Sequence, residues 1–510
     1  MKIAMLVVYF AVLLAIGFKC RKSANSVDGF VLGGRGVGAW LTAFAYGTSY
    51  FSAVVFVGYA GQFGWKYGIA ATWAGIGNAL IGSLLAWCVL GRRTRLLTQH
   101  LDSSTMPEFF GCRFDSKALK IVASAIIFVF LVPYTASLYN GLSRLFAMAF
   151  SIDYSVCIVL MSVLTAIYVI CGGYLATAIN DFIQGVIMLV GLVAVIWAVI
   201  ASKGGFAAAT DALARVTDAT VTTTPGIFAS FFGPDPLNLL FVVILTSLGT
   251  WGLPQMVQKF YAISNEDAIR KGTVISTLFA FVVAGGCYFL GGFGRIFCTG
   301  AEVKAGGFDS IIPAMLSNLG PGLIALTVVL VLSASMSTLS SLVITSSSTL
   351  TSDFIKGTLV RTMSPKREVF VIRVFVVVFI AISAVIALVQ HTSKVTFIAQ
   401  LMGISWGALA GSFLAPFLYS LYWKGTTKAS CWASFVFGSG LMVVNMVARD
   451  ALPVLLRSPI NCGVVAMLAG FVIVPLVSVV TKAPDARFMD ALFACYARPR
   501  QVQAKDDLGN

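Results

Sequence analysis

Apolar residues come in long uninterrupted runs, and short clusters of charge separate them. The first run, Ile3 to Phe18, is followed by Lys19, Arg21 and Lys22. Runs of this length cross a bilayer as helices, because lipid offers no partner to an open backbone. The pattern predicts about thirteen spans. They fall near 3–18, 37–62, 68–90, 121–148, 154–171, 176–202, 237–258, 272–294, 319–355, 369–390, 396–422, 429–448 and 460–481. Three basic residues follow the first run against Lys2 alone before it, which predicts an uncleaved span with its N-terminus outside.

Three spans carry polar residues at mid-membrane depth. The second holds Tyr46-Gly47-Thr48-Ser49-Tyr50-Phe51-Ser52, and the seventh bunches Thr246, Ser247, Gly249, Thr250, Gly252 and Pro254. Glycine weakens a helix and proline removes one of its bonds. Irregular backbone survives in a membrane only where it is buried or lines a cavity. Each of these spans read alone is a simple kink. Their spacing of five spans predicts two inverted five-helix repeats, each opening on a broken helix. The ninth span holds Ser333, Ser335, Ser337, Thr338, Ser340, Ser341 and Thr345. Ala334, Ser337, Thr338, Ser341 and Thr345 recur at i, i+3, i+4, i+7 and i+11, so they share one face. Isolated hydroxyls in membranes glue helices or bond back to the preceding turn. A whole face of neutral oxygens suits a small desolvated cation such as Na⁺.

Composition fits this reading. The chain is 58% hydrophobic and 11% charged, against about a quarter charged in soluble domains. Its +15 net charge is a topology signal rather than a nucleic-acid footprint. Roughly 25 of the 35 basic residues fall on the side that the N-outside start makes cytoplasmic. That set includes Lys259, placed just past the cytoplasmic end of the seventh span, and the basic tail 483–510. The predicted class is an all-α polytopic protein of the cell (inner or plasma) membrane, a single transporter domain over 1–482, with its C-terminus cytoplasmic. Ten scattered cysteines and two histidines assemble no metal motif and no triad, and no cofactor is expected. No loop or tail offers a soluble catalytic domain.

Asp181 is the deepest acid, in Cys171-Gly172-Gly173 through Gln184 between the fifth and sixth spans. Intramembrane acids are functional candidates by default. Near a helix start, an acid can also be a dipole-stabilised group wetted by the cytosol. Asp353, in the last turn of the ninth span, is expected to reach water.

The chain resembles the sodium:solute symporters. The matching pieces are Phe30-Val31-Leu32-Gly33-Gly34-Arg35, the Gly172-Gly173…Asp181…Gln184 segment, and Ala334-Ser335-Met336-Ser337-Thr338, in order over about residues 25–425. The resemblance implies about thirteen helices with a leucine-transporter-type 5+5 inverted-repeat core, repeat one about 37–202 and repeat two about 237–422. It implies a sodium site made by the carbonyls of Thr48, Phe51 and Ala334 and the hydroxyls of Ser337 and Thr338. Asp181, Ser340 and Ser341 match a further sodium arrangement of some members.

The solute pocket implied comprises Tyr50, Ser52, Val55, Tyr134, Thr250 and Trp251. Proline transporters of the family carry an aspartate where this chain has Tyr50. They carry Trp and Tyr where it has Thr246 and Thr250. Pro133 and Tyr134 look proline-transporter-like, whereas Tyr50-Phe51-Ser52-Ala53 resembles the short-carboxylate branch. No buried Arg or Lys is expected to clamp a carboxylate, which leaves the N–H groups of the broken helices. A small amino acid ranks first and a monocarboxylate second. The partners are then Na⁺, a small solute and lipid, with no nucleic acid. A membrane sensor would need a signalling module, an enzyme a second group beside Asp181, and a channel no broken helices.

Overall fold

The computed structural model describes residues 2–497, apart from 151–152, 223, 318, 357, 361–362 and 394–397. Arg498, Arg500 and Lys505 of the basic tail, and Arg361, lie outside the described residues. Among those described, pairing of extended backbone is confined to isolated bridges, and the architecture is helical. The principal helices are α1 (Lys2–Lys19), α2 (Ala39–Tyr50), α3 (Ala60–Tyr67), α4 (Lys117–Phe150), α5 (Tyr154–Ala201), α6 (Pro236–Ser247), α7 (Pro254–Ala262), α8 (Glu266–Gly292), α9 (Pro321–Ser348), α10 (Pro365–Ser393), α11 (Ile398–Tyr422), α12 (Lys428–Val447) and α13 (Pro459–Val480).

By length and composition, ten described helical runs can cross a membrane, or eleven when a bent pair is taken as one span. The count of thirteen requires two further divisions. One falls in α5, whose 48 residues would run about 72 Å if straight, over twice the hydrocarbon thickness of about 30 Å. Gly173 breaks it, with φ +58° and ψ −158°. Glycine alone takes this backbone without a Cβ penalty. The other falls at Gly68, φ +64°, where the 47-residue run Val54–His100 doubles back along α8. Gly64 and Gly75, on either side of that turn, meet Gly291 and Gly285 of α8.

Both expected interruptions occur. After α2, Phe51 is extended at φ −103°, ψ 121°, and helical structure resumes at Val54. Between α6 and α7 the chain tightens to a 3₁₀ turn over Leu248–Gly252, with Leu253 extended. The two halves of this span bend by 47°. Pro254 occupies the first turn of α7, where its missing N–H costs nothing.

Every residue of α9 from Thr327 to Ser348 is buried. A helix buried all round sits at the centre of a bundle, and α9 packs against α5, α4, α10 and α2. Asp353, in the π-helical turn after α9, is 2% exposed. This corrects the expectation that water reaches it. Thr105 and the ammonium of Lys120 cover it, at 2.5 Å and 3.1 Å. A carboxylate so enclosed keeps its charge only with such partners.

At the opposite end of α8 lies a second ionic contact. Arg295 donates to Asp218 at 2.9 Å and to the Trp65 carbonyl at 2.7 Å. Hydrogen bonds from Thr220, then from Arg295, hold the Asp218 carboxyl below the usual carboxylate range. A depressed value contributes stability that is complete above the unfolded value, about 3.9, and is lost as pH falls through the folded one. Protection of the Thr220 amide, which donates to Asp218 at 3.1 Å, measured against its intrinsic exchange rate, should hold at pH 5 and fall only in stronger acid. Asp218→Asn should abolish that acid transition.

Candidate sodium and solute site

The break after α2 leaves carbonyls without helical partners, and it leaves them facing α9. Ser337 Oγ donates to the Thr48 carbonyl at 3.0 Å, and Thr338 Oγ1 to the same carbonyl at 3.1 Å. Thr338 Oγ1 also lies 3.5 Å from the Phe51 carbonyl. Ser337 and Thr338 reach the Ala334 carbonyl of their own helix at 3.0 and 3.1 Å. Five neutral oxygens therefore converge between α2 and α9. Their residues are 0–2% exposed. Two rotatable hydroxyls that can swing their protons away from a cation complete a donor set suited to Na⁺. All five residues read from the sequence come together here.

The second group is arranged differently. Asp181 sits in α5 with 0% exposure, so the cytosol does not wet it. Neither of its oxygens has a hydrogen-bond partner among the described residues. Ser340 turns its hydroxyl to the Ser337 carbonyl at 2.8 Å. Ser341 meets Ser49 at 2.7 Å and accepts from the ammonium of Lys259 at 3.0 Å. Lys259 is 2% exposed. It was expected at the cytoplasmic end of the seventh span, and no buried Lys or Arg was expected to be available for a carboxylate. Both expectations fail, because α7 runs on through Ala262 and lays its polar face against α9. Gln258, one residue earlier, accepts from Thr345 at 2.6 Å and donates to the Val31 carbonyl at 3.0 Å.

The solute candidates gather where the two breaks meet. Tyr50 donates to the Thr246 carbonyl at 2.5 Å, tying the end of α2 to the end of α6. Its ring stacks on Trp406 of α11 at 6.0 Å, and Tyr134 of α4 meets the same indole edge-on at 5.9 Å. The Tyr134 hydroxyl and the Trp406 N–H are buried without partners among the described residues. Ser52 accepts from the Val54 amide at 3.2 Å and caps the resumed helix. Val55 is buried in that helix. Thr250 satisfies itself on the Ser247 carbonyl, and Trp251 donates to the Ile81 carbonyl at 3.0 Å. Those two therefore hold the 3₁₀ turn rather than presenting free donors.

Asn78 and Trp406 were missed from the sequence. With its amide nitrogen turned inward, Asn78 lies 2.7 Å from the Tyr50 hydroxyl and 3.1 Å from the Thr246 carbonyl. Each is a lone polar or aromatic residue inside an apolar run. Only the buried polar character of Asn78 in mid-span could have marked it.

The sodium:solute symporter family profile matches residues 30–438. The chain belongs to that family. It is 29% identical over 503 residues to a sodium/proline symporter of Staphylococcus aureus, covering 94% of this chain and 93% of the relative. The sodium/proline symporter of S. aureus strain JH9 is 30% identical over 504 residues, with the same coverage. Among solved structures, a substrate-bound, outward-open Na⁺-coupled sialic acid symporter superposes with TM-score 0.74 at 16% identity, covering 95% of this chain and 98% of that one. A nucleobase-cation-symport-1 family transporter in a closed conformation superposes at 0.50 and 14% identity, covering 94% and 97%. The fold is that of leucine-transporter-type sodium symporters. This family member is a sodium-coupled transporter and not an enzyme.

Proposed function

We propose that this symporter couples entry of Na⁺ to uptake of a small amino acid, proline or a related compound, by alternating access. The observation that carries the reading is the five-oxygen cluster joining the broken helix α2 to α9. Binding an ion there fastens the break to the buried central helix. Tyr50 and Ser52, on the same break, form one wall of the solute pocket, so ion and solute stabilise one arrangement of one segment. Two repeats, about 37–202 and 237–422, would rock about that segment, with the N-terminus outside and the C-terminus cytoplasmic. The tyrosines and indole around Tyr50 offer a ring-shaped apolar solute its contact faces. The sodium/proline relatives support this choice.

A monocarboxylate is the second reading, and Tyr50 favours it. A neutral hydroxyl stands where proline transporters carry an aspartate that would repel a bare carboxylate.

The energetics set an expectation. One Na⁺ entering down 100 mV contributes about 2.3 kcal/mol, and a tenfold gradient about 1.4 kcal/mol. One ion therefore supports several-hundred-fold accumulation. Proteoliposomes given an inward Na⁺ gradient should concentrate labelled proline, with acetate and pyruvate as comparison solutes. Uptake that ignores Na⁺ but follows an imposed pH gradient would overturn the reading.

A further inference from the structure

Lys259 has no part in the site just described, yet it is an ammonium enclosed at the centre of the bundle. It lies on α7, the second half of the broken seventh span. Its Nζ donates to Ser341 Oγ at 3.0 Å and sits over the Tyr174 ring, 5.0 Å from the centroid. An ammonium only donates. Ser341 therefore spends a lone pair on Lys259, and its hydroxyl shares a further hydrogen bond with Ser49, 2.7 Å away. Asp181 is the acid near enough to interact with it electrostatically, although no hydrogen bond joins the two. Tyr9, Tyr168 and Tyr174 are the other titratable side chains around that carboxylate.

Asp181 and Ser341 are the very groups that a second Na⁺ would use. A buried carboxylate with no hydrogen bond keeps its charge only where a cation compensates it. Here the chain brings its own. An ammonium and Na⁺ carry equal charge, and both seek oxygen. The ammonium already holds the serine. Its charge also weakens binding of a second cation about 4 Å away by about a thousandfold, at the effective dielectric of a protein site.

We propose that the Lys259 ammonium is a built-in cation at the Asp181 site, standing where a second Na⁺ would bind, so that this transporter moves one Na⁺ per cycle. The inference rests on the sodium site of α2 and α9, and it fixes that site's stoichiometry. The tethered charge compensates the carboxylate without ion exchange. It lies on a broken helix, so its contact with Ser341 of α9 can break and re-form as the halves move.

The test is radioactive ²²Na⁺ binding to the purified full-length protein, counted per chain. The wild type should bind one ion, and Asp181→Asn should still bind one. Lys259→Met should bind two, the second site gaining about a thousandfold in affinity, and Lys259→Met with Asp181→Asn should return to one. Lys259→Arg keeps the charge and should bind one. Monodispersity on size-exclusion confirms that each variant is folded, and the neutral double variant guards against a single variant that fails to fold. Two ions in the wild type, falling to one in Asp181→Asn, would overturn the proposal. So would a folded Lys259→Met that binds only one. Failure of the underlying sodium reading looks different: the wild-type ion would then survive Thr338→Val.

Discussion

Thr338→Val and Ser337→Ala should each raise the Na⁺ concentration needed for half-maximal uptake by about tenfold to a hundredfold. Each removes one oxygen from five. A lost polar partner in a buried site costs about 1–3 kcal/mol, and about 1.4 kcal/mol is a factor of ten. Valine has the shape of threonine without its oxygen, so packing on α2 is retained. Solute affinity should fall with Na⁺ affinity, because the coupling between two ligands is reciprocal. Excess Na⁺ should therefore restore much of the lost solute binding. Ser347 and Ser348 are the controls. Both are buried in the same helix, two to three turns further on. Ser347 has no hydrogen-bond partner among the described residues, and Ser348 donates only to the Thr345 carbonyl of its own helix. Their alanine variants should transport almost as the wild type does. Uptake measured against Na⁺ concentration separates the cases. Four variants with one common response would make the hydroxyls simple helix glue. In Na⁺-free buffer Ser337 and Thr338 also tie α9 to the Thr48 carbonyl. A thermal unfolding scan without Na⁺ therefore isolates that structural part of the effect.

The difference between what was legible and what was not follows from the period of each signal. The α9 face shows because seven hydroxyls in one apolar run cannot be lipid-facing. The breaks show because Gly47, Gly249, Gly252 and Pro254 are local in sequence. Lys259 escaped for the opposite reason. A basic residue near a span end is read by default as a cytoplasmic anchor. Nothing local says that α7 continues past it and faces inward. Its partners, Ser341 and Asp181, lie 82 and 78 positions away along the chain. The same holds for Asp353, whose shield is Thr105, from a helix cap, and Lys120 of α4. Trp406 is one aromatic among many, until Tyr50 and Tyr134 are placed against it. Sequence pattern reports what a segment needs. It does not report which distant segment supplies it.

The second large effect is expected far from any polar group, at Gly64. Helices in a membrane gain nothing from hiding apolar surface from lipid, so they associate through close backbone approach at small residues. A Cβ on Gly64 would lie 1.9 Å from the carbonyl oxygen of Gly291 and 2.1 Å from its carbon. The obstacle is backbone on both sides, so no side-chain rotation relieves it. From the other helix, a Cβ on Gly291 would meet the Ala60 carbonyl oxygen at 2.0 Å. Gly64→Ala must therefore push α3 away from α8. The consequence reaches the sodium site, because α3 continues the half-span that begins at Val54, just after the Phe51 carbonyl. Displacing α3 drags the break, so the variant should lose both thermal stability and Na⁺ affinity. Overpacking of a rigid contact costs about 1–3 kcal/mol and sometimes more. The matched control is Gly285→Ala in the same helix, α8. A Cβ there meets nothing within 4 Å, although Gly75 across from it could take none. Gly285→Ala should unfold at the wild-type temperature and transport normally. Size-exclusion profiles, thermal unfolding and the Na⁺ dependence of uptake would be compared for the two variants. Equal behaviour would mean that α3 and α8 do not approach at Gly64, and that the break after α2 is braced from elsewhere.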